Sequence, residues 1–358
     1  MKKFLALALA SVMSLSLLAG CGGGNGGNGG NGGGSAPAPA PADYPTAEKP
    51  LTIQVGYVPP VGEVCDLTIN EIKKEVEEKT GGAILFELFP NSQLGNEKVL
   101  LDAILGGTLD AGLLSFAQMT TVFPEAGTMI LPFAFEDSAH YFRTVKDPEF
   151  KEHYGAVTNA KNVKYLGVVN GPARGMIAKG PMTKLEDYTG VKVRIMDGEI
   201  FADTFAAWGA GTSVIPFGEC YTALQQGVID AIDMETTMGV LMKFFEVAPH
   251  YTATNHVIQG NGFIMSNNVW NKMSPEQQQI VQEATNKMED WTEGKYAELA
   301  AHFTEVGKTD YGLEVHQLTD EERQAFVDAS QPVYEKHRDK IGVDYYDWFM
   351  EFVASKAE

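Results

Sequence analysis

Several things are scarce in this chain, and each shortage excludes a class of function. Basic residues are few: 27 Lys and Arg stand against 47 Asp and Glu over 358 residues, a formal charge of −20 at pH 7. Neutralising a phosphate backbone takes clustered Lys and Arg. No basic run exceeds the pairs Lys2-Lys3 and Lys73-Lys74, so nucleic acid is excluded as a partner. The same shortage excludes charge-driven docking on anionic lipid, which leaves only covalent or hydrophobic membrane attachment. Cysteine is scarce too. Beyond Cys21 only Cys65 and Cys220 remain, 155 positions apart in apolar, helix-like stretches. They make neither a disulfide framework nor a zinc site and read as buried free thiols. No hydrophobic run of spanning length follows the first residues, so the chain after about residue 50 reads as soluble.

Catalytic signatures are missing as well. There is no GxSxG elbow, phosphate loop, HExxH or dinucleotide glycine pattern after a strand. The seven histidines, His140, His153, His250, His256, His302, His316 and His337, are scattered without ligand spacing, and most are expected at the surface or at helix ends. No cofactor and no metal site are expected.

What the chain has is enough apolar material, 44 %, for one large or two medium domains. At its start, Lys2-Lys3 precedes an apolar stretch from Phe4 to Leu18 broken only by serines. That is short for a spanning helix of about 20 residues and reads as an export signal over residues 1–20. Leu18-Ala19-Gly20-Cys21 resembles a bacterial lipoprotein box, which implies cleavage before Cys21 and diacylglycerol on its sulfur. An ordinary signal peptide cut elsewhere, or an uncleaved anchor, explains less well why this box sits where the apolar run stops. Residues 21–50, rich in Gly, Asn, Ala and Pro, form a tether with a reach of about 30 Å.

After residue 50, short β-type runs alternate with helix-type runs, an α/β pattern. Strands are expected at Leu51 to Val58, Ala83 to Phe89, Leu109 to Leu114, Val163 to Val169, Arg174 to Lys179, Val191 to Met196 and Val257 to Met265. Cys65, Ile69, Ile72 and Val76 share one helical stripe. Further helical stretches are expected from about Gly95 to Leu105 and near 137–153, 198–208, 217–226 and 235–246. A long helix begins at Ser274-Pro275-Glu276, continues to about Val306, and is expected to span more than one lobe. VLLDAILGGTLDA (Val99 to Ala111) and ECYTALQQGVIDA (Glu219 to Ala231) align without a gap 120 residues apart, with Ala103/Ala223, Gly107/Gly227, Asp110/Asp230 and Ala111/Ala231 identical. Chance could supply four identities, but two lobes of related plan explain them better.

Six segments carry a resemblance: FPNSQLG (Phe89 to Gly95), GGTLDA (Gly106 to Ala111), PEAGTMILPFAFED (Pro124 to Asp137), GVKVRIMDG (Gly190 to Gly198), WGAGTSVIPFGECYTALQQGVIDA (Trp208 to Ala231) and FFEVAPHYTATNH (Phe244 to His256). By their order and spacing the chain after residue 50 resembles the solute-binding proteins of tripartite ATP-independent periplasmic (TRAP) transporters. The resemblance implies a two-lobed, periplasmic-binding-protein-like α/β fold with a long helix spanning both lobes. Lobe I would take residues 51–171 plus about 260–300, and lobe II 172–259 plus about 301–358. It also implies an exported receptor, lipid-anchored on the outer face of the cell membrane, that closes on a small organic anion and passes it to small and large membrane subunits. A receptor feeding a membrane sensor and an exported enzyme are the alternatives. The enzyme would need a nucleophile–base or carboxylate pair that the sequence does not offer.

The resemblance places a carboxylate-clamping arginine at Arg194, whose planar fork suits both oxygens of a carboxylate. It places a second ligand arginine at Arg174, where a surface charge is the competing reading. Phe217 falls at an aromatic pocket wall, or equally caps the following helix against the core. Glu63 falls at a first-lobe contact, or is a solvated loop acid. Trp208 shares a stripe with Phe201 and Phe205 and reads as core. Asp197 and Met234 stand where sialic acid receptors of the family carry asparagine, which argues against sialic acid. An acid at Asp197 or Glu63 would repel a second anionic group. A monocarboxylate bearing an amine or hydroxyl donor, or an aromatic or aliphatic body, is therefore expected over a four-carbon dicarboxylate. If Asp197 caps its own helix, that argument weakens.

Overall fold

A computed structural model describes residues 44–357, and the signal segment, Cys21 and most of the tether lie outside them. Within the described residues the chain builds one β-α-β-α-β unit twice. The first comprises β1 (Leu51–Tyr57), α1 (Val64–Lys79), β2 (Ile84–Phe89), α2 (Glu97–Leu105) and β3 (Ala111–Ser115). Helices α3 (Phe116–Met119), α4 (Ser138–Lys146) and α5 (Pro148–Asn159) lead to β4 (Val163–Val168) and β5 (Gly175–Ala178). The second unit is β6 (Lys192–Ile195), α6 (Glu199–Ala207), β7 (Gly211–Val214), α7 (Cys220–Gln226) and β8 (Ala231–Met234). The rest is α8 (Thr236–Leu241), β9 (His250–Ala253), β10 (Asn261–Ser266), α9 (Asn267–Trp270), α10 (Pro275–Tyr311), β11 (Glu314–Gln317), α11 (Asp320–Ile341) and α12 (Val343–Ala354).

Two sheets result, ordered β2-β1-β3-β10-β4 and β11-β9-β5-β8-β6-β7. In each, the first strand of the unit lies between the other two in parallel, and an antiparallel strand from elsewhere closes on the third. The sequence echo marks the matching junction. Gly107 and Gly227 both take left-handed φ, 72° and 70°, where a Cβ would be strained. The N–H groups of Thr108 and Val228 donate to the carbonyls of Ala103 and Ala223, each at 2.9 Å. Asp110 then accepts from the Gln54 N–H of β1, and Asp230 from the Lys192 N–H of β6, both at 2.9 Å.

The long helix α10 starts in a capping box, Ser274 with Gln277, and stops at Gly312 with φ 67°. Its 37 residues extend about 55 Å. Thr292 bonds Thr68 of α1, and Thr304 bonds Thr236 of α8, so this helix joins both lobes. The chain also crosses between the sheets twice, side by side. Arg174 N–H donates to the Val257 carbonyl, Gln259 N–H to Pro172 and Val169 N–H to Asn261.

Burial follows the expected stripes. Cys65, Ile69, Ile72 and Val76 are fully buried on α1, and Trp208 packs with Phe205, Tyr188 and Phe326. Cys65 and Cys220 are free and buried. Departures have local causes. The stretch 137–153 is two helices, because Asp147 caps a new helix that opens on Pro148. The strand expected from Val257 begins only at Asn261, the residues before it forming the second crossing. The polar four-residue strands β7, β9 and β11 were not expected at all. His140, His256 and His337 are buried rather than superficial. None of the described helices is long and apolar enough to cross a membrane.

Candidate functional site

Between the two sheets lies a cleft of about 410 Å³, within the range of small-molecule sites. From the first lobe Ser92, Asn96, Glu97, Ser115 and Gln118 reach it. The second contributes Arg194, Met196, Asp197, Phe217, Met234, Glu235 and Met238, and the crossing segments Asn170, Arg174, Gln259 and Asn261.

Its electrostatics turn on two buried arginines. Arg174, at the first crossing, is already neutralised. Its Nε donates to Asp233 at 2.9 Å, its Nη2 to the Asp233 carbonyl, and its Nη1 lies 3.7 Å from Glu235. Burial alone would lower its pKa, but Asp233 and Glu235 more than offset this and hold it above the usual value. His256, 3.5 Å from Asp233, is pulled down to about 4 by burial and is neutral at pH 7. Arg194 differs. Its Nε and Nη2 both donate to the Ile215 carbonyl, at 3.0 and 2.9 Å, and its Nη1 is buried without a partner. Burial pulls its pKa down, yet a guanidinium stays charged at neutral pH. No ion pair holds it among the described residues. Arg194 therefore brings to the cleft wall a positive charge with no direct ion pair, which the Asp233 and Glu97 charges favour only from beyond pairing distance, in a setting where an unpaired buried charge is costly.

Two orphaned acceptors line the same cleft, Gln259 Oε1 and Glu235 Oε2. Glu97 is committed to Ser115, accepting from its N–H at 2.8 Å and its hydroxyl at 2.7 Å. Lys98 also lines the cleft but is held by Asp102 at 2.7 Å, so the site offers one guanidinium without an ion pair beside groups that accept from hydroxyls.

The model of the family described as bacterial extracellular solute-binding protein, family 7 (DctP), matches residues 55–340. The chain belongs to that family. It is 31 % identical over 279 residues to the uncharacterized protein YiiZ of Salmonella typhimurium strain LT2, covering 76 % of this chain and 83 % of that one. A TRAP periplasmic solute-binding protein of Sulfitobacter sp. NAS-14.1, solved with β-D-galacturonate, superposes with a TM-score of 0.78 at 25 % identity, covering 86 % of this chain and 99 % of that one. One from Pseudomonas putida F1, solved with D-glucuronate, gives 0.78 at 26 % identity, with 85 % and 97 % covered. The chain is thus a two-lobed TRAP receptor for small organic acids that works outside the cytoplasm, and its family consists of receptors rather than enzymes.

The receptor brings together five of the six residues expected at the site: Arg194, Arg174, Phe217, Asp197 and Met234 all line the cleft. Phe217 is half-buried, its ring edge-on to Phe244 at 6.2 Å. Asp197 is exposed at the mouth and does not cap α6, whose N-cap is Gly198 without a side-chain bond. Glu63 is not among the lining residues. It is the buried N-cap of α1, accepting from the Cys65 N–H at 2.6 Å, so its carboxylate is spent on the helix end. Burial and then the neighbouring Glu235 charge push its pKa up to about 7. Sequence reasoning missed Gln259, Glu235, Asn170 and Glu97, which come from four separate segments and form no motif.

Proposed function

We propose that the receptor binds a hydroxylated monocarboxylate of the hexuronate class, with its carboxylate on Arg194. The observation that carries this is the charge asymmetry of the two arginines: Arg174 is paired with Asp233, and Arg194 has a buried, unused Nη1. One free guanidinium suits one carboxylate. A second anionic group would meet Asp197, Glu97, Glu219 and Glu235, all on the cleft wall. Ligand hydroxyls have acceptors in Gln259 and Glu235, and Met234, Met238 and Phe217 supply an apolar face. The galacturonate and glucuronate held by the Sulfitobacter and Pseudomonas receptors are of this class.

On this reading the lobes divide near residues 171 and 259, in keeping with which strands share a sheet. They close on the solute about the two crossings and α10, and ligand contacts to both lobes favour the closed state. The loaded receptor then delivers the acid to TRAP membrane subunits, tethered through acylated Cys21. Cys21→Ala should move the protein from the membrane to the soluble fraction, and retention in the membrane would refute the anchor.

Calorimetry on ligand-stripped protein against D-galacturonate, D-glucuronate, succinate, malate and sialic acid tests the ligand class. A uronate is expected to bind most tightly. Selective binding of succinate, malate or sialic acid would contradict the proposal.

A further inference from the structure

We propose a second, separate site at the outer edge of the second sheet: a divalent transition-metal site of the zinc class, held by His250, Glu314 and His316. Strand β11 is the edge strand and pairs in parallel with β9, which sets Glu314 directly opposite His250. His316 lies two residues beyond Glu314 and so falls on the same face. The three side chains meet there. His250 Nδ1 is 3.1 Å from His316 Nε2, and Glu314 Oε2 is 3.7 Å from His250 Nδ1. One ligand atom from each lies within 4.8 Å of the others.

Those separations fit a small tetrahedral cation. Zinc sits about 2.0–2.1 Å from an imidazole nitrogen, and tetrahedral angles then leave two such nitrogens about 3.3 Å apart. Two imidazole nitrogens facing each other at 3.1 Å can share one proton, or both can turn lone pairs onto a cation. The Glu314 carboxylate beside them favours the cation, because it adds negative charge and a third ligand. Two nitrogens and one carboxylate oxygen suit Zn²⁺ and its neighbours rather than Mg²⁺ or Ca²⁺. The His250 side chain is 18 % exposed and that of Glu314 66 %, so a fourth position opens to water.

This edge lies away from the cleft. His250 pairs with Ala178 of β5, four residues along the chain from Arg174, about 13 Å at the rise of a strand. A metal there would leave the solute's polar contacts alone. It would pin β11, the short link between the two longest helices α10 and α11, to the body of the sheet. Sequence reading had no means of finding it, because the two histidines are 66 positions apart and meet only through strand pairing.

The test is zinc calorimetry on the full chain prepared without a histidine tag and stripped with a chelator, with Co²⁺ absorption as a second readout. We expect one zinc per chain and a visible Co²⁺ band of tetrahedral type. Losing even a group outside the ligand set commonly costs ~10–100-fold in metal affinity, so His316→Ala and His250→Gln should each weaken zinc by at least that. His302→Ala should leave it unchanged. Zinc should raise the melting temperature of the parent but not of His316→Ala, and without zinc the two should melt alike. Absence of zinc binding by the parent, or equal binding by parent and His316→Ala, would overturn the site.

Discussion

Where the first β-α-β-α-β unit has Gly56 and Leu113, the second has Arg194 and Asp233. The equivalence follows from the backbone. Gln54 and Lys192 make the same bond to Asp110 and Asp230, and Val55 and Val193 pair with Ala111 and Ala231. At Gly56 a Cβ would lie 2.8 Å from Leu100 Cδ2, so any side chain there would have to displace that leucine. In the second unit the same position sends a guanidinium to the Ile215 carbonyl and the cleft. Leu113 is fully buried in the first core, and Asp233 is equally buried but paired with Arg174. One backbone plan is therefore built without these charges in one lobe and with them in the other. The shared plan does not require them, since the first lobe builds it with Gly56 and Leu113 at these positions.

The largest effect expected from breaking this comparison is on stability. Asp233→Leu copies the first lobe at one position only, leaving Arg174 buried without its main counter-charge. Such a loss costs about 3–5 kcal/mol, toward the lower end here because Glu235 remains 3.7 Å away. The double change Arg174→Met/Asp233→Leu removes the whole pair, and urea unfolding should show most of that loss recovered, since apolar replacement of a whole buried pair is often neutral. A double variant as unstable as the single one would mean that the second lobe needs its charges to fold.

A smaller effect concerns two buried acids at helix starts. Glu63 caps α1 and Glu235 precedes α8, and both carboxyl pKa values are raised, first by burial. Glu63 moves from 4.5 to about 7. Between those values the folded state holds a proton that the unfolded chain has released. The contribution is thus fully present below about pH 4.5 and is lost as pH rises through about 7. A shift of this size corresponds to at most about 3 kcal/mol. Glu63→Gln keeps an acceptor for the Cys65 N–H and should flatten the fall in stability between pH 5 and 8. Some fall should remain, because burial raises Glu289 to about 7 as well. An unchanged pH profile would show that Glu63 is not the group responsible.

Much of this plan was legible in the residues. The stripe Cys65, Ile69, Ile72, Val76 and the Ser274-Pro275 start of α10 depend on local spacing and capping, which sequence carries directly. The echo at Gly107/Gly227 and Asp110/Asp230 was legible because a left-handed turn and an aspartate that accepts from a strand N–H tolerate few residues. Strands β7 and β11 were not, being four-residue polar edges whose only support is a neighbouring strand. At the site, Arg194 and Phe217 came through the resemblance, whereas Gln259 is brought in by a crossing and Glu235 by the junction of β8 and α8, which no local pattern records. The role of Glu63 as a helix cap was open to reading, since it immediately precedes Val64-Cys65. That Arg174 is neutralised by Asp233 was not, because the two are 59 positions apart.

The proposed ligand puts its carboxylate on Arg194, which has no ion pair among the described residues. A four-way titration separates the alternatives, parent and Arg194→Ala, each against D-galacturonate and against D-galactose, which lacks the carboxylate. Truncating one partner of a desolvated charge pair costs about 2–5 kcal/mol, or about 30-fold to several thousand-fold in affinity. The account predicts that the parent prefers the acid by such a factor and that Arg194→Ala loses the preference while melting like the parent. If Arg194→Ala still binds galacturonate within a few-fold of the parent, Arg194 does not hold the carboxylate and the account is wrong.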